Sequence, residues 1–248
     1  MNTTSFRETV KNGLENMKRE DIIFFAWLCA VRALPCVILN SNIINWNEKD
    51  RQKYLYSVFH ALDVCYYYRT PEFSYDACKA TKAANNARAF DKRYIKKDCK
   101  SELADAAAIA SAAANAVDAL RAEATNFDRR AEERAKKTKE YAADAAENAA
   151  FRNILQSIII EDMQILLLQK EDEKLKFNTD MYAECWVKFQ QELDNVGCAY
   201  WGNLYKNIFD NSFELDKDEL QRRMNVPESI QQDGAAAVAR YLEMKIKS

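Results

Sequence analysis

Between Ala104 and Ala124 the sequence reads ADAAAIASAAANAVDALRAEA, and 12 of these 21 residues are alanine. Alanine has the highest intrinsic helix propensity, and its small side chain lets two helices approach closely. Apolar side chains recur here at intervals of three and four, which keeps them on one helical face. This face carries Leu103, Ala107, Ala110, Ala114, Val117, Leu120, Ala124 and Phe127. The stretch therefore predicts an amphipathic helix with a close-packed alanine face.

The alanine-rich character extends over residues 77–150 or so, on both sides of this stretch. A second stripe with the same helical spacing follows, while charged residues such as Lys136 and Lys137 fall between its members and are expected to face solvent. Its members are Ala131, Ala135, Thr138, Ala142, Ala145 and Ala149. We interpret the two stripes as antiparallel helical hairpins with a turn near Asn126–Asp128.

Composition supports the same fold class for the rest of the chain. The 248 residues include four glycines and three prolines, too few for the many tight turns that a strand-rich fold requires. No segment shows alternating β-branched residues. We therefore predict an all-α fold, a compact multi-helix bundle of antiparallel hairpins that forms a single domain over residues 1–248.

Capping residues mark several expected helix starts. Ser5, Asp21, Asn47 and Asp216 are each placed where a side-chain oxygen can accept from the first turn of a helix. A further start is expected at Pro227, because proline suits the first turn of a helix.

Two strongly apolar segments, Ile22–Leu34 and Phe151–Gln169, predict the helices around which the hairpins pack. The apolar run from Ile22 to Leu39 approaches the length of a membrane span. Arg32 lies near its centre, where a charge is costly in lipid, and Pro35 would bend it. We therefore expect a buried core helix that ends at Pro35.

Cysteine usage and net charge indicate the compartment. The sequence has seven cysteines and one histidine, an odd number of thiols without CxxC spacing, which is typical of reduced cysteines in a reducing compartment. The net charge of −2 offers no overall field for nucleic acid or anionic membranes. We predict a cytoplasmic protein that does not bind membranes.

Three features are candidates for function. His60 precedes Asp63 by one helical turn, a spacing that can orient an imidazole for proton transfer; we favour a structural, hydrogen-bonded histidine, because no nucleophile motif accompanies it. Arg32 needs a negative partner if it is buried. That partner is either a ligand carboxylate or an acidic side chain from a neighbouring helix, and we favour the side chain.

The third candidate is a basic segment from Lys79 to Lys100, in which eight lysines and arginines stand against Asp91 and Asp98. It suits either an acidic protein surface or a phosphate backbone. Within it we assign partner binding to Lys92, Arg93, Lys96 and Lys97.

An aromatic concentration near the C-terminal third admits two interpretations. Trp186, Tyr200, Trp201 and Tyr205 lie close together in the sequence. Such residues anchor interfaces, but at helical spacing they more often fill a core. We favour the core.

Catalytic signatures are missing from the sequence. It contains no glycine-rich phosphate loop and no HExxH, GxSxG or paired ExxH motif. We therefore expect neither an enzyme nor a cofactor or metal.

One segment resembles a known family. Residues 25–35 read FAWLCAVRALP, with Cys29-Ala30, Arg32 and Leu34-Pro35 in order, and the alanine tract follows. This order resembles the alanine-rich immunity proteins of bacterial polymorphic toxin systems over residues 20–150. The resemblance implies a helical protein that works by binding a cognate toxin or effector, without chemistry of its own. The alternative function is a nucleic-acid-associated factor that uses Lys79–Lys100.

Overall fold

A computed structural model of the protein describes residues 5–36, 46–69, 76–94, 114–118, 131–150, 153–168, 175, 179–210 and 214–246. Its labelled helices follow in chain order. They are α1 (Phe6–Leu14), α2 (Arg19–Ala33), α3 (Glu48–Arg69), α4 (Ala77–Tyr94), α5 (Ala131–Ala149), α6 (Asn153–Leu168), α7 (Thr179–Asn195), α8 (Ala199–Asp210), α9 (Lys217–Met224), α10 (Glu228–Gln232) and α11 (Ala235–Ile246). A 3₁₀ turn, Leu34–Cys36, follows α2. The described part of the chain contains no strand, which confirms the predicted all-α class.

Most of the predicted helix starts are confirmed by their hydrogen bonds. Ser5 Oγ accepts from the Glu8 amide at 3.3 Å, and Asn47 Oδ1 accepts from the Asp50 amide at 2.9 Å. Asp216 Oδ1 accepts from the Glu219 amide at 2.8 Å. Each bond satisfies one of the amides that a helix leaves unpaired at its start.

The prediction for Asp21 is wrong. Helix α2 begins at Arg19 with Lys18 at its N-cap, and Lys18 makes no side-chain capping bond. Asp21 instead lies in the first turn, where its carboxylate interacts favourably with the positive end of the helix dipole.

Helix α2 forms the core on one side of the bundle. Every described side chain from Ala26 to Leu34 is buried, including that of Arg32, and the helix packs against α3, α5 and α6. The apolar run is therefore a core helix, as predicted, and it gives way to the 3₁₀ turn that contains Pro35. Among the described residues, no helix is both long and apolar enough to cross a membrane.

The segment Phe151–Gln169 does not have the central role that its composition predicts. Helix α5 packs mainly on α2 and α1, and α4 packs on α3, so neither alanine-rich helix uses α6 as its main support. The last residue of α6, Leu168, is 62% exposed. The second centre is α3, which contacts α2, α4, α9 and α11. Large apolar side chains indicate burial but do not identify the neighbour that buries them.

Most of the alanine positions that the structure describes on the two predicted faces are buried, whereas Ala135 is half-buried. Ala114 and Val117 of the first stripe are fully enclosed, as are Ala142, Ala145 and Ala149 of the second. Lys136 and Lys137 are exposed, as predicted. Ala110 and the turn predicted at Asn126–Asp128 lie outside the described residues.

The aromatic concentration belongs to the core. Tyr200, Trp201 and Tyr205 are buried, whereas Trp186 is half-buried. Trp201 stacks on Phe59 of α3 with ring centroids 4.7 Å apart, and its indole nitrogen donates to the Ala235 carbonyl at 3.0 Å. These contacts join α8 to α3 and to the start of α11.

The buried amide of Gln52 fastens the C-terminal helices to α3. Its Nε2 donates to the Val196 carbonyl at 2.7 Å, and its Oε1 accepts from the Ala236 amide at 2.8 Å. Gly234 lies directly against this residue with φ = +93°, and a Cβ atom there would come within 2.7 Å of the Gln52 backbone carbon. Only glycine fits both the backbone angle and the close approach.

The substitution Gly234→Ala tests this junction. We expect a loss of ~3 kcal/mol or more of unfolding free energy, because alanine adds backbone strain and a clash with Gln52. Gly197→Ala is the matched control, since Gly197 also has a positive φ (72°) but its Cβ would meet Ala236 at an ordinary 3.6 Å. Urea unfolding should show the smaller loss, ~1–2 kcal/mol, for Gly197→Ala. Equal losses would contradict the close approach.

Candidate functional site

The acidic partner predicted for the only histidine is engaged elsewhere. Asp63 lies one turn after His60 on α3, but its Oδ2 accepts from Arg223 Nε of α9 at 2.9 Å, and both side chains are buried. The contact that the structure shows for His60 is a stack on the Tyr56 ring, with centroids 5.3 Å apart. The pair is therefore not arranged as a proton-transfer dyad.

The Asp63–Arg223 ion pair continues into a small polar network. Arg223 Nη1 lies 3.8 Å from Glu219 Oε1, which accepts a 2.8 Å hydrogen bond from the Tyr200 hydroxyl. Burial raises the pKa of Asp63, while the guanidinium of Arg223 opposes that rise. The network ties α9 and α8 to α3 from within, which suits a structural element.

Arg32 is paired as predicted. Its Nε and Nη2 donate to Oδ2 and Oδ1 of Asp162 at 2.9 and 2.7 Å, and both side chains are almost fully buried. Burial raises the pKa of Asp162 to about 6 against the opposing effect of Arg32. The acidic side chain comes from α6, the neighbouring helix, so this site needs no ligand carboxylate.

The buried thiols are held in their protonated form. Burial raises the pKa of Cys198 to about 12, and its Sγ lies 3.5 Å from Gln52 Oε1. Burial also raises the pKa of Cys29 well above its usual range. Because the thiolate is the nucleophile, neither cysteine is activated for chemistry at neutral pH. The five cysteines that the structure describes in full are free.

A cavity of about 280 Å³ opens between α3, α4 and α10, beside the stacked pair of Tyr56 and His60. Most of its lining residues carry a polar side-chain group. They comprise Lys53, Tyr56, Ser57, Lys82, Asn86, Ala89, Glu228, Gln231 and Gln232. The Tyr56 hydroxyl is buried and has no hydrogen-bond partner among the described residues. We refer to these nine residues as the α3–α4–α10 cavity.

The electrostatics of the α3–α4–α10 cavity are dominated by lysines. Lys82 forms an exposed ion pair with Glu228, across the junction of α4 and α10, and this contact lowers the pKa of Glu228. Burial of His60, together with the charges of Lys82 and Lys79, lowers the pKa of the imidazole to about 4. The histidine is therefore neutral at pH 7 because an additional positive charge is disfavoured there.

The basic segment predicted to bind a partner borders this cavity. Lys79 and Lys82 are exposed on α4, whereas Ala80, Ala83, Ala84 and Ala87 on its other face are fully buried. Of the four residues assigned to partner binding, Lys92 and Arg93 belong to α4, and Lys96 and Lys97 lie outside the described residues. The role of these four residues stays a prediction.

Sequence reasoning did not identify the wall that α10 contributes to the cavity. Glu228 follows Lys82 by 146 residues, and no local pattern connects them.

A larger groove lies between α9 and α11. Its volume is about 490 Å³, and its polar lining, from Asp218, Gln221, Arg222, Asn225 and Lys245, is exposed. The α3–α4–α10 cavity, which has buried walls at Tyr56 and Ser57, is the better-formed site.

Comparisons with known proteins, and a search for metal ligands, add no assignment. Within the described part of the chain, no three or more His, Cys, Asp or Glu residues are grouped so that they could hold a metal ion. No protein-family model, curated protein or solved structure matches this chain.

The pKa of His60 can be measured directly, because it is the only histidine. NMR titration of its ring resonances should give a pKa of about 4, against ~6.5 for an unfolded chain. Between these values the unfolded state binds a proton that the folded state does not, so stability should fall as pH falls from about 6.5 to 4. His60→Gln should remove this component of the pH dependence. A pKa near 6.5 in the folded protein would show that the ring is solvated.

Proposed function

We propose that this chain acts by binding, as an immunity protein or accessory subunit of a bacterial conflict system in the cytoplasm. Its partner would be a toxin or effector with an acidic surface. The observation that carries the proposal is the contact of exposed Lys82 with the Glu228 carboxylate. Surface lysines of α4 are thus placed where carboxylates can reach them, on a helix whose opposite face is firmly packed.

The state of the reactive side chains supports binding without catalysis. The carboxylate of Asp63 is engaged by Arg223, His60 is held neutral, and burial keeps the Cys198 thiol protonated. Each group has a structural explanation, and a general base or nucleophile would require a different setting. The resemblance of residues 20–150 to immunity proteins points in the same direction.

Nucleic-acid association is the second candidate, and the density of basic residues between Lys79 and Lys100 favours it. The two functions differ in their response to salt. Several phosphate contacts give a steep linear fall of log affinity with log salt concentration. A protein partner held by anchoring side chains responds more weakly, mainly through its association rate. The pairing of Lys82 with a carboxylate favours the protein partner.

Protection against a toxin tests the proposal. Each toxin or nuclease gene found beside the gene for this chain should be expressed in a heterologous host, with and without the chain. We expect one of them to be neutralised and to form a complex that calorimetry detects. Reversing Lys92, Arg93, Lys96 and Lys97 to glutamate should weaken that complex by about tenfold or more while the circular dichroism spectrum stays helical.

Reversal of Lys136 and Lys137 provides the control, because these two exposed lysines lie on α5, outside the basic segment. It should leave the complex nearly unchanged. The proposal would be contradicted if no neighbouring toxin were neutralised while duplex DNA or RNA bound tightly with a steep salt dependence. That result would favour the nucleic-acid function.

A further inference from the structure

We propose that the α3–α4–α10 cavity is the receptor for an acidic side chain of the partner protein, and that Glu228 occupies part of this receptor in the free chain. This inference rests on the proposed function and specifies how the partner is recognised. It assigns a binding role to Lys82, Lys53 and Tyr56, and a competing, autoinhibitory role to Glu228.

The polar groups around the cavity match a carboxylate. Lys53 and Lys82 supply positive charge from two different helices, and Asn86 and Gln232 supply amides. The Tyr56 residue is only 9% exposed, and its hydroxyl is without a partner in the described structure. A buried hydroxyl that lacks a partner costs free energy. Because this oxygen is closed off from solvent in the free chain, the Tyr56 ring must shift toward the cavity for an arriving carboxylate oxygen to accept from it and remove this cost.

The size of the cavity limits the occupant. Its volume of about 280 Å³ lies just below the ~300–1,000 Å³ that is typical of small-molecule and cofactor sites. A glutamate or aspartate side chain fits such a volume, whereas a dinucleotide does not. The basic face of α4 next to the cavity, with Lys79 exposed, provides complementary charge for the acidic surface from which such a side chain would project.

The Lys82–Glu228 ion pair shows how the cavity can be kept closed to weak ligands. Both side chains are more than half exposed, 57% and 63%, so the pair is free to separate at small cost. An incoming carboxylate must displace Glu228 from Lys82 before it binds. A partner that presents several acidic groups meets this condition more easily than a single free anion.

His60 serves as a reporter of occupancy. Its ring stacks on Tyr56, which lines the cavity, and Lys82 contributes to the depression of its pKa. A negative charge placed beside Tyr56 and Lys82 stabilises the imidazolium form. Binding of an acidic side chain should therefore raise the pKa of His60, and the single histidine makes the signal unambiguous.

The test is an NMR titration of the full chain with an acetylated, amidated hexaglutamate peptide, with hexaglutamine as the uncharged control. We expect hexaglutamate to raise the pKa of His60 by roughly one pH unit, as a nearby opposite charge does, in a saturable manner. Hexaglutamine should not change it. Lys82→Gln should abolish the peptide-induced change, whereas Glu228→Gln should tighten binding roughly two- to fivefold, because it removes the competing carboxylate.

Lys136→Gln is the matched control, since it removes an exposed lysine that does not line the cavity. It should bind the peptide as the unmodified chain does. The inference is overturned if hexaglutamate leaves the pKa of His60 unchanged, or if Lys82→Gln and Lys136→Gln weaken binding equally. It is also overturned if a single-stranded RNA hexamer raises the pKa at lower concentration than the peptide does. Protection against a neighbouring toxin could still be observed after any of these results, so the two proposals fail separately.

Discussion

The bidentate ion pair between Arg32 and Asp162 is the constraint on which the rest of the bundle depends. Arg32 occupies the last turn of α2, where the neighbouring side chains are all buried. An unpaired cation there would cost a large amount of folding free energy. Helix α6 must therefore place Asp162 beside Arg32, with its carboxylate facing the guanidinium. The pair thereby fixes the rotation of α2, and with it the faces that receive α3 and α5.

A second buried pair repeats this arrangement on the other side of the bundle. Arg223 and Asp63 connect α9 to α3, and Gln52 on the same helix fastens the start of α11. These internal polar contacts hold α10, which lies between α9 and α11, against the α3–α4 pair. The α3–α4–α10 cavity is a consequence of that packing, since its walls come from elements that the buried polar groups position.

Much of the fold follows from local sequence signals. Helix class, the caps at Ser5, Asn47 and Asp216, and the burial of stripe positions such as Ala114 and Ala142 depend on residues a few positions apart, and these features were predicted correctly. The need for a partner at Arg32 was also predictable, because burial of a guanidinium requires one. Its identity was not, because Asp162 lies 130 residues away and several acidic residues were equally suitable.

The errors and omissions arose at long range. The apolar composition of residues 151–169 predicts a central helix, but burial depends on which helices are adjacent, and α3 with its many tyrosines is the second centre. Likewise, the basic segment and His60 indicate a candidate site in the sequence. Glu228 and Gln231 belong to no such pattern, and only the packing of α10 beside α4 brings them to the cavity. Sequence thus indicated half of the candidate site, the half that lies on α3 and α4.

A double-mutant cycle on the central ion pair tests this account most directly. Urea unfolding of Arg32→Met, Asp162→Asn and the double variant should show that each single change costs ~3–5 kcal/mol, because it leaves a buried charge uncompensated. The double variant should cost at least ~2 kcal/mol less than the sum of the two. The exposed pair Glu133–Lys137, changed to glutamine at both positions, should show a coupling of only ~0.5 kcal/mol or less. Additive losses at Arg32 and Asp162, or single variants as stable as the unmodified chain, would contradict the account.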